Sequence, residues 1–290
     1  MSKVDFITMA EDTYVKPLLV SVAQVKKFYP EATFYIYDCG LSPKNAQALK
    51  DAADNVVLEK WTIQFFKIRN IYTKRRLLKR GVQLIGDSIT RLLQLRDNNP
   101  HADLIISQHE FEIKIRNKLE ILRHHNHSVR LPFIFIDADA FIIDRIDELL
   151  DNSFDVGLTL RGGKLDYRFN FCRLLNVGVM LFLGTYAKNT AIIEDWAQEA
   201  NRTKEAYNEQ SSLSRLLLRK EPQIFEKMGD IHNLDFAEHV VRVKILNSKI
   251  YNNTQVQNYL QETNKHDIKV LHFKIGKFNK PYFEEIVAKL

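Results

Sequence analysis

With 290 residues, the chain has room for one large α/β domain or two small ones, and its 45% hydrophobic and 27% charged residues are those of an ordinary globular protein. Two cysteines, Cys39 and Cys172, exclude a disulfide framework and suit a reducing compartment, and no uninterrupted apolar run is long enough to span a bilayer. A net charge of +6 and a pI near 9.1 point to acidic partners: nucleotides, phosphorylated sugars, nucleic acid or an anionic membrane surface.

The start, "MSKVDFITMAED", has no signal-peptide core, so a cytoplasmic protein is expected. "VDFIT" (4–8) reads as a strand, and 14–28 carries apolar residues at helical spacing. "TFYIYDC" (33–39) is a second strand. In "SPKNAQALKDAA" (42–53), Ser42 is a candidate N-cap and Pro43 suits the first helical position. "NVVLEK" (55–60) and, more weakly, "ADLIIS" (102–107) follow as strands. Between them lies "KRRLLKR" (74–80), five basic residues in seven. Its plainer reading is a solvated helix face, and its functional reading is a landing patch for an anionic acceptor or lipid headgroup. Nucleic acid is disfavoured, because the patch is isolated and lacks interleaved aromatics.

A helix over 110–123 leads into "FIFIDADAFII" (133–143). Strand-like pieces then recur at 156–160, 176–182, 239–246 and 268–273, with helices at 186–201, 208–219 and 281–289. Alternating elements of this kind predict a mostly parallel sheet covered by helices on both faces, with a smaller mixed sheet in the C-terminal half. No linker rich in glycine or proline divides the chain, so 1–290 is expected to be a single domain.

The aspartates of "FIFIDADAFII" pose an energetic problem. A carboxylate among core residues is costly unless it is paired or bound to a metal. Residues i and i+2 of a strand point the same way, so Asp137 and Asp139 are expected to converge just past the strand's end. Ligands bind beyond such ends in parallel sheets. Hard divalent cations, Mn²⁺ or Mg²⁺, take carboxylates together with substrate phosphates. The alternative is a pair of loop aspartates bonded to nearby amides.

With "FITMAEDTYVKPLLVSVAQVKKFYP", "FYIYDCGLS", Asp137-Ala138-Asp139, "LNVGVMLF", "NEQSSL" and "VLHFKIGKFNKPY" in this order, the chain resembles the GT-A nucleotide-sugar glycosyltransferases, most closely the retaining glycosyltransferase family 8, which contains bacterial lipopolysaccharide galactosyltransferases and glycogenins. The resemblance covers the N-terminal third and most of 132–282, and is weak over 61–108. "FITMAEDTYVKPLLVSVAQVKKFYP" followed by "FYIYDCGLS" matches the family's opening, which implies that Ala10, Glu11, Asp12 and Tyr14 hold the nucleotide base and ribose. Asp137-Ala138-Asp139 matches its metal-binding Asp-x-Asp. "LNVGVMLF" places Asn176 and Gly178 beside the donor sugar. "NEQSSL" matches its Asp-Gln pair, with Glu209 in place of Asp and Gln210 at the anomeric carbon. "VLHFKIGKFNKPY" gives His272 as third metal ligand and Lys280 as diphosphate contact. Lys280 lies two residues further from the histidine than usual, so Lys277 is the alternative. The helix before the metal strand offers Lys114 and Arg116 as nucleotide contacts.

The resemblance implies a nucleotide-binding half (1–140) and a donor-sugar and acceptor half (141–290). It implies a UDP-sugar donor, a saccharide or glycolipid acceptor, and a role in bacterial cell-surface glycan synthesis with peripheral contact at the inner membrane surface. Retention needs no base, and Gln210 then steadies the sugar cation. Inversion would need one, from Glu209 or Asp166. Two other readings stand beside this one. A haloacid-dehalogenase phosphatase also places two aspartates after an apolar strand, but its motif lies near the N-terminus. The other is a non-catalytic sugar-nucleotide binding module.

Overall fold

A computed structural model describes residues 4–63, 109–161, 174–202, 208–261, 267–273 and 280–290. The first half alternates as expected: β1 (Asp5–Ala10), α1 (Val15–Phe28), β2 (Phe34–Asp38), α2 (Pro43–Ala52), β3 (Val56–Lys60), α3 (His109–Val129) and β4 (Phe133–Ile136). A short strand, β5 (Ala140–Ile142), follows at once, and then β6 (Val156–Leu160) and β7 (Leu175–Phe182). Next come α4 (Tyr186–Arg202), α5 (Asn208–Lys220), β8 (Ile231–Phe236) and β9 (His239–Asn247). The chain ends with α6 (Ser248–Tyr251), α7 (Val256–Gln261), β10 (Val270–His272) and α8 (Lys280–Val287). The weak strand at 102–107, the basic run at 74–80 and Cys172 lie outside the described residues.

Among the described residues the large sheet has eight strands in the order β3-β2-β1-β4-β7-β6-β9-β8. From β3 to β4 it is parallel throughout. The antiparallel strand β7 then joins β4 to β6, and β9 runs parallel to β6. The C-terminal strands expected in a smaller mixed sheet instead extend the main one. The smaller sheet is the antiparallel pair β10-β5. Neither β5 nor β8 is marked in the sequence. The first is three residues at the tail of an apolar run, and the second is an edge strand with exposed Ile231, Asn233 and Asp235.

Strand alternation explains the unbroken "FIFI". Phe133 and Phe135 enter the core under α3 and α4, with Leu119, Leu122, Ile192 and Trp196. Ile134 and Ile136 enter the opposite core, with Leu18, Val22 and Val25 of α1. Both faces are covered, so both must be apolar. Glu199 of α4, buried, holds Arg215 of α5 at 2.5 Å, and the Trp196 indole N–H donates to the Glu209 carbonyl at 2.9 Å. These contacts fix where α5 begins.

His125 of α3 is fully buried between the rings of Tyr35 and Phe133, 4.8 and 4.9 Å away, with Nδ1 2.9 Å from the Tyr37 hydroxyl. Burial, and then the neighbouring His124, push the imidazole down from 6.5 to about 3. Between those two values the unfolded chain takes up a proton that the folded chain refuses. Stability is therefore lost as pH falls through that window, at about 1.4 kcal/mol per pH unit. Unfolding free energies from urea titrations at pH 6 and pH 4, inside that window, are expected to fall with close to this slope in the wild type and with a shallower one in His125→Phe. An unchanged slope would assign the acid sensitivity elsewhere.

Candidate active site

The parallel strands β1 and β4 are neighbours, and β2 and β3 lie on one side of β1 while β7 lies beyond β4. Their carboxyl ends open the crevice where ligands bind in such sheets. Glu11, Asp12 and Tyr14 follow β1 there, and Asp137 follows β4. The two aspartates do not converge by strand alternation. Residues 137–140 form a tight turn, with the Ala140 N–H donating to the Asp137 carbonyl at 2.9 Å. The turn reverses the chain into β5, which pairs antiparallel with β10 in the register His272↔Ala140. The Phe273 N–H bonds the Asp139 carbonyl at 2.7 Å. That pairing brings His272 to the aspartates across 133 residues of chain.

The imidazole Nε2 of His272 lies 3.2 Å from Asp139 Oδ1 and 3.6 Å from Asp137 Oδ2. One ligand atom from each of the three residues falls within 4.8 Å of the others, and this is the one such group among the described residues. Its donor set is two carboxylate oxygens and one imidazole nitrogen, which suits an octahedral hard or borderline cation such as Mn²⁺ or Mg²⁺. The site is also shaped for the imidazole. At Gly178 of β7 a Cβ would lie 2.4 Å from His272 Cε1 and 2.9 Å from Asp137 Oδ2. The Gly178 carbonyl accepts from the Asp137 N–H at 2.7 Å, which locks β7 against the turn.

Lys118, a residue that sequence reasoning missed, completes the group. Its Nζ donates to Asp137 Oδ1 at 2.8 Å, and its stem crosses the Phe135 ring, 4.9 Å from Nζ to centroid. The helix was expected to contribute Lys114 or Arg116. Arg116 donates to Asn201 Oδ1 at 2.8 Å and has Glu120 at 3.6 Å. Lys118 stands one half-turn beyond Arg116, and helix phase relative to β4 sets its direction. The side chains of Lys114, Lys277 and Lys280, and residue Asp166, lie outside the described residues.

Tyr14 is near the aspartates. Burial, and after it the charges of Asp139, Glu11 and Asp137, push its phenol up to about 12. Ala10 and Ala138 are buried. Asp12 is occupied within the protein: its Oδ1 accepts the Ser42 N–H at 2.7 Å and the Asn45 amide at 2.9 Å. Those bonds hold its carboxyl below the usual carboxylate range. Ser42 itself makes no side-chain cap. Asn176, buried, accepts the Gly178 N–H at 3.3 Å. Glu209 and Gln210 are buried in the first turn of α5, which packs on α3 and β7.

Asp137 is shared between Lys118 and the candidate metal position. In EDTA, Lys118→Met is expected to cost about 1–3 kcal/mol, because it leaves a part-buried carboxylate without its cation. Added Mn²⁺ is expected to recover part of that loss, so the melting temperature of Lys118→Met should rise more with Mn²⁺ than that of the wild type. Equal rises would show that the lysine and the metal do not share the carboxylate.

No family model and no curated protein matches the chain. Solved structures do. One is the structure of an active-site Gln-to-Glu mutant of LgtC, with a TM-score of 0.53 and 13% identity, covering 99% of this chain and 94% of that one. Another is the galactosyltransferase LgtC in complex with donor and acceptor sugar analogs, with a TM-score of 0.53 and 14% identity, covering 99% of this chain and 96% of that one. The likeness extends over 99% of this chain, so the chain carries the GT-A fold that it shares with the galactosyltransferase LgtC.

Proposed function

We propose that the chain is a metal-dependent glycosyltransferase that moves a hexose from a UDP-sugar to a saccharide or glycolipid acceptor, with retention at the anomeric carbon. The observation that carries this reading is the meeting of Asp137, Asp139 and His272 at the carboxyl ends of parallel strands. They meet in a fold shared with an enzyme solved with donor and acceptor sugar analogs. The shared fold does not favour the haloacid-dehalogenase alternative.

Asp137, Asp139 and His272 would hold Mn²⁺ or Mg²⁺, which when bound neutralises a departing diphosphate. Tyr14 stays protonated across the neutral range and is a donor for a phosphate or ribose oxygen. Lys277 or Lys280 adds positive charge where the leaving group gathers negative charge. Lys118 holds Asp137 in one orientation. Glu209 is only 2% exposed and within electrostatic reach of Arg116. Retention needs no base, and Gln210 would then face the sugar cation. The proposed place of action is the cytoplasmic face of a bacterial membrane, in lipopolysaccharide or capsule synthesis. The basic net charge supports such a surface, and no helix among the described residues is long and apolar enough to cross it.

The test is a panel of sugar nucleotides incubated with the protein in Mn²⁺ and in EDTA, scored by release of free nucleoside diphosphate. Release from a UDP-sugar in Mn²⁺ alone is expected, with NMR of the transfer product showing the donor's anomeric configuration. Phosphate release from a simple phosphomonoester, with no turnover of any sugar nucleotide, would overturn the reading.

A further inference from the structure

His272 faces the aspartates with Nε2, so something must decide which ring nitrogen carries the proton. Neutral imidazole has one N–H and one lone pair, and only the lone pair binds a cation. With the proton on Nε2, the ring would donate to Asp139 and offer nothing to a metal.

Among the described residues the other ring nitrogen has one oxygen before it: His272 Nδ1 lies 2.8 Å from Asn252 Oδ1. Asn252 is 1% exposed, at the C-terminal end of α6. Its amide cannot be turned around. The Asn252 Nδ2 group donates to the Asn176 carbonyl at 3.0 Å and to Thr159 Oγ1 at 2.8 Å. Thr159 Oγ1 donates its own hydrogen to the same Asn176 carbonyl at 2.6 Å. A carbonyl accepts only, and the threonine proton is already used, so both Asn252 hydrogens point away from His272. The oxygen left facing the ring is a pure acceptor, and Nδ1 must donate to it. Backbone bonds hold the two partners in register, with the His272 N–H on the Asn253 carbonyl at 2.8 Å and the Asn253 N–H on the Val270 carbonyl at 2.9 Å.

We infer that Asn252 is a positioning residue of the metal centre: it keeps the proton of His272 on Nδ1 and so presents the Nε2 lone pair to the cation between Asp137 and Asp139. Thr159 and the Asn176 carbonyl act one step behind it by fixing the amide's orientation. The inference rests on the proposed metal-binding role of the triad. Outer partners of this kind are worth roughly 10–100-fold in metal affinity.

The experiment has two arms. In the first, Mn²⁺ is titrated into wild type, Asn252→Ala and Thr159→Val, and free Mn²⁺ is read by electron paramagnetic resonance. Asn252→Ala is expected to weaken binding roughly 10–100-fold. Thr159→Val removes one of the two bonds that fix the amide and is expected to weaken Mn²⁺ binding less than Asn252→Ala does, because the Asn176 carbonyl still accepts from Asn252 Nδ2. If Asn252→Ala melts earlier but binds Mn²⁺ with wild-type affinity, the residue is merely structural and the inference falls. The second arm uses wild type alone, whatever the variants do: imidazole ¹⁵N NMR of the metal-free protein should show a one-bond coupled proton on His272 Nδ1. A bare Nδ1 would overturn the inference. Wild-type protein that binds no Mn²⁺ would instead overturn the metal reading beneath it.

Discussion

Asp139→Asn is expected to lose at least roughly 100-fold in kcat/KM on a sugar nucleotide, since a bound cation supplies several kcal/mol of charge stabilisation and about 1.4 kcal/mol is a factor of ten. The same variant should not be less stable. In the metal-free protein Asp137 and Asp139 crowd one imidazole edge, with His272 Nε2 3.6 and 3.2 Å away, and removing one negative charge relieves their repulsion. The main-chain bond from the Phe273 N–H to the Asp139 carbonyl survives the exchange. In EDTA the melting temperature is therefore expected to match or exceed wild type, while the rise that Mn²⁺ with UDP gives the wild type disappears. A variant that still shows that rise would remove Asp139 from the site. One that loses activity and also unfolds would make Asp139 a structural aspartate.

Gly178→Ala strikes the same centre from behind and should differ in its stability. The added Cβ meets His272 Cε1 at 2.4 Å and Nδ1 at 2.7 Å, closer than real carbon contacts come. The imidazole has nowhere to go: β10 is paired to β5, and Asn252 holds Nδ1. The strand has no more freedom, because the Gly178 carbonyl is bonded by the Asp137 N–H beside the β4–β7 ladder. The methyl must displace the histidine or part the two strands, and overpacking of this kind costs about 1–3 kcal/mol. Loss of Mn²⁺ binding together with a lower urea midpoint is the expected result. Normal Mn²⁺ affinity in Gly178→Ala would mean that His272 is not held where it meets the aspartates.

The two variants separate what a sequence can say from what it cannot. Asp139 announces itself, because a carboxylate one residue from another at the end of "FIFI" is out of place in a core. The strands and helices of the first half were legible for a similar reason. Apolar runs and 3.6-residue spacing are local properties, and β1, α1, β2, α2, β3 and β4 lie where those patterns put them. The turn at 137–140 was not legible, because its reversal is paid for by β10, whose three residues lie far down the chain. Nor was Lys118. The sequence offered Lys114 and Arg116 on this helix, and the direction in which Lys118 points is set by the packing of α3 against Phe133 and Phe135. Asn252 carried no signal at all, since its neighbours Thr159, Asn176 and His272 come from three other segments.

The amino-acid sequence alone determined the chemistry available to this protein: two aspartates after a buried strand, a histidine near the far end, and an alternation of strands and helices that commits the first half to a parallel sheet. Tertiary structure decided which of those groups meet. A three-residue antiparallel pairing, a glycine too close to a ring for any side chain, and an asparagine amide with both hydrogens already spent choose the atoms that face one another. The physical reason is range. Propensity and periodicity act over a few residues, whereas a cation site is made by distances of a few ångströms between groups more than a hundred residues apart.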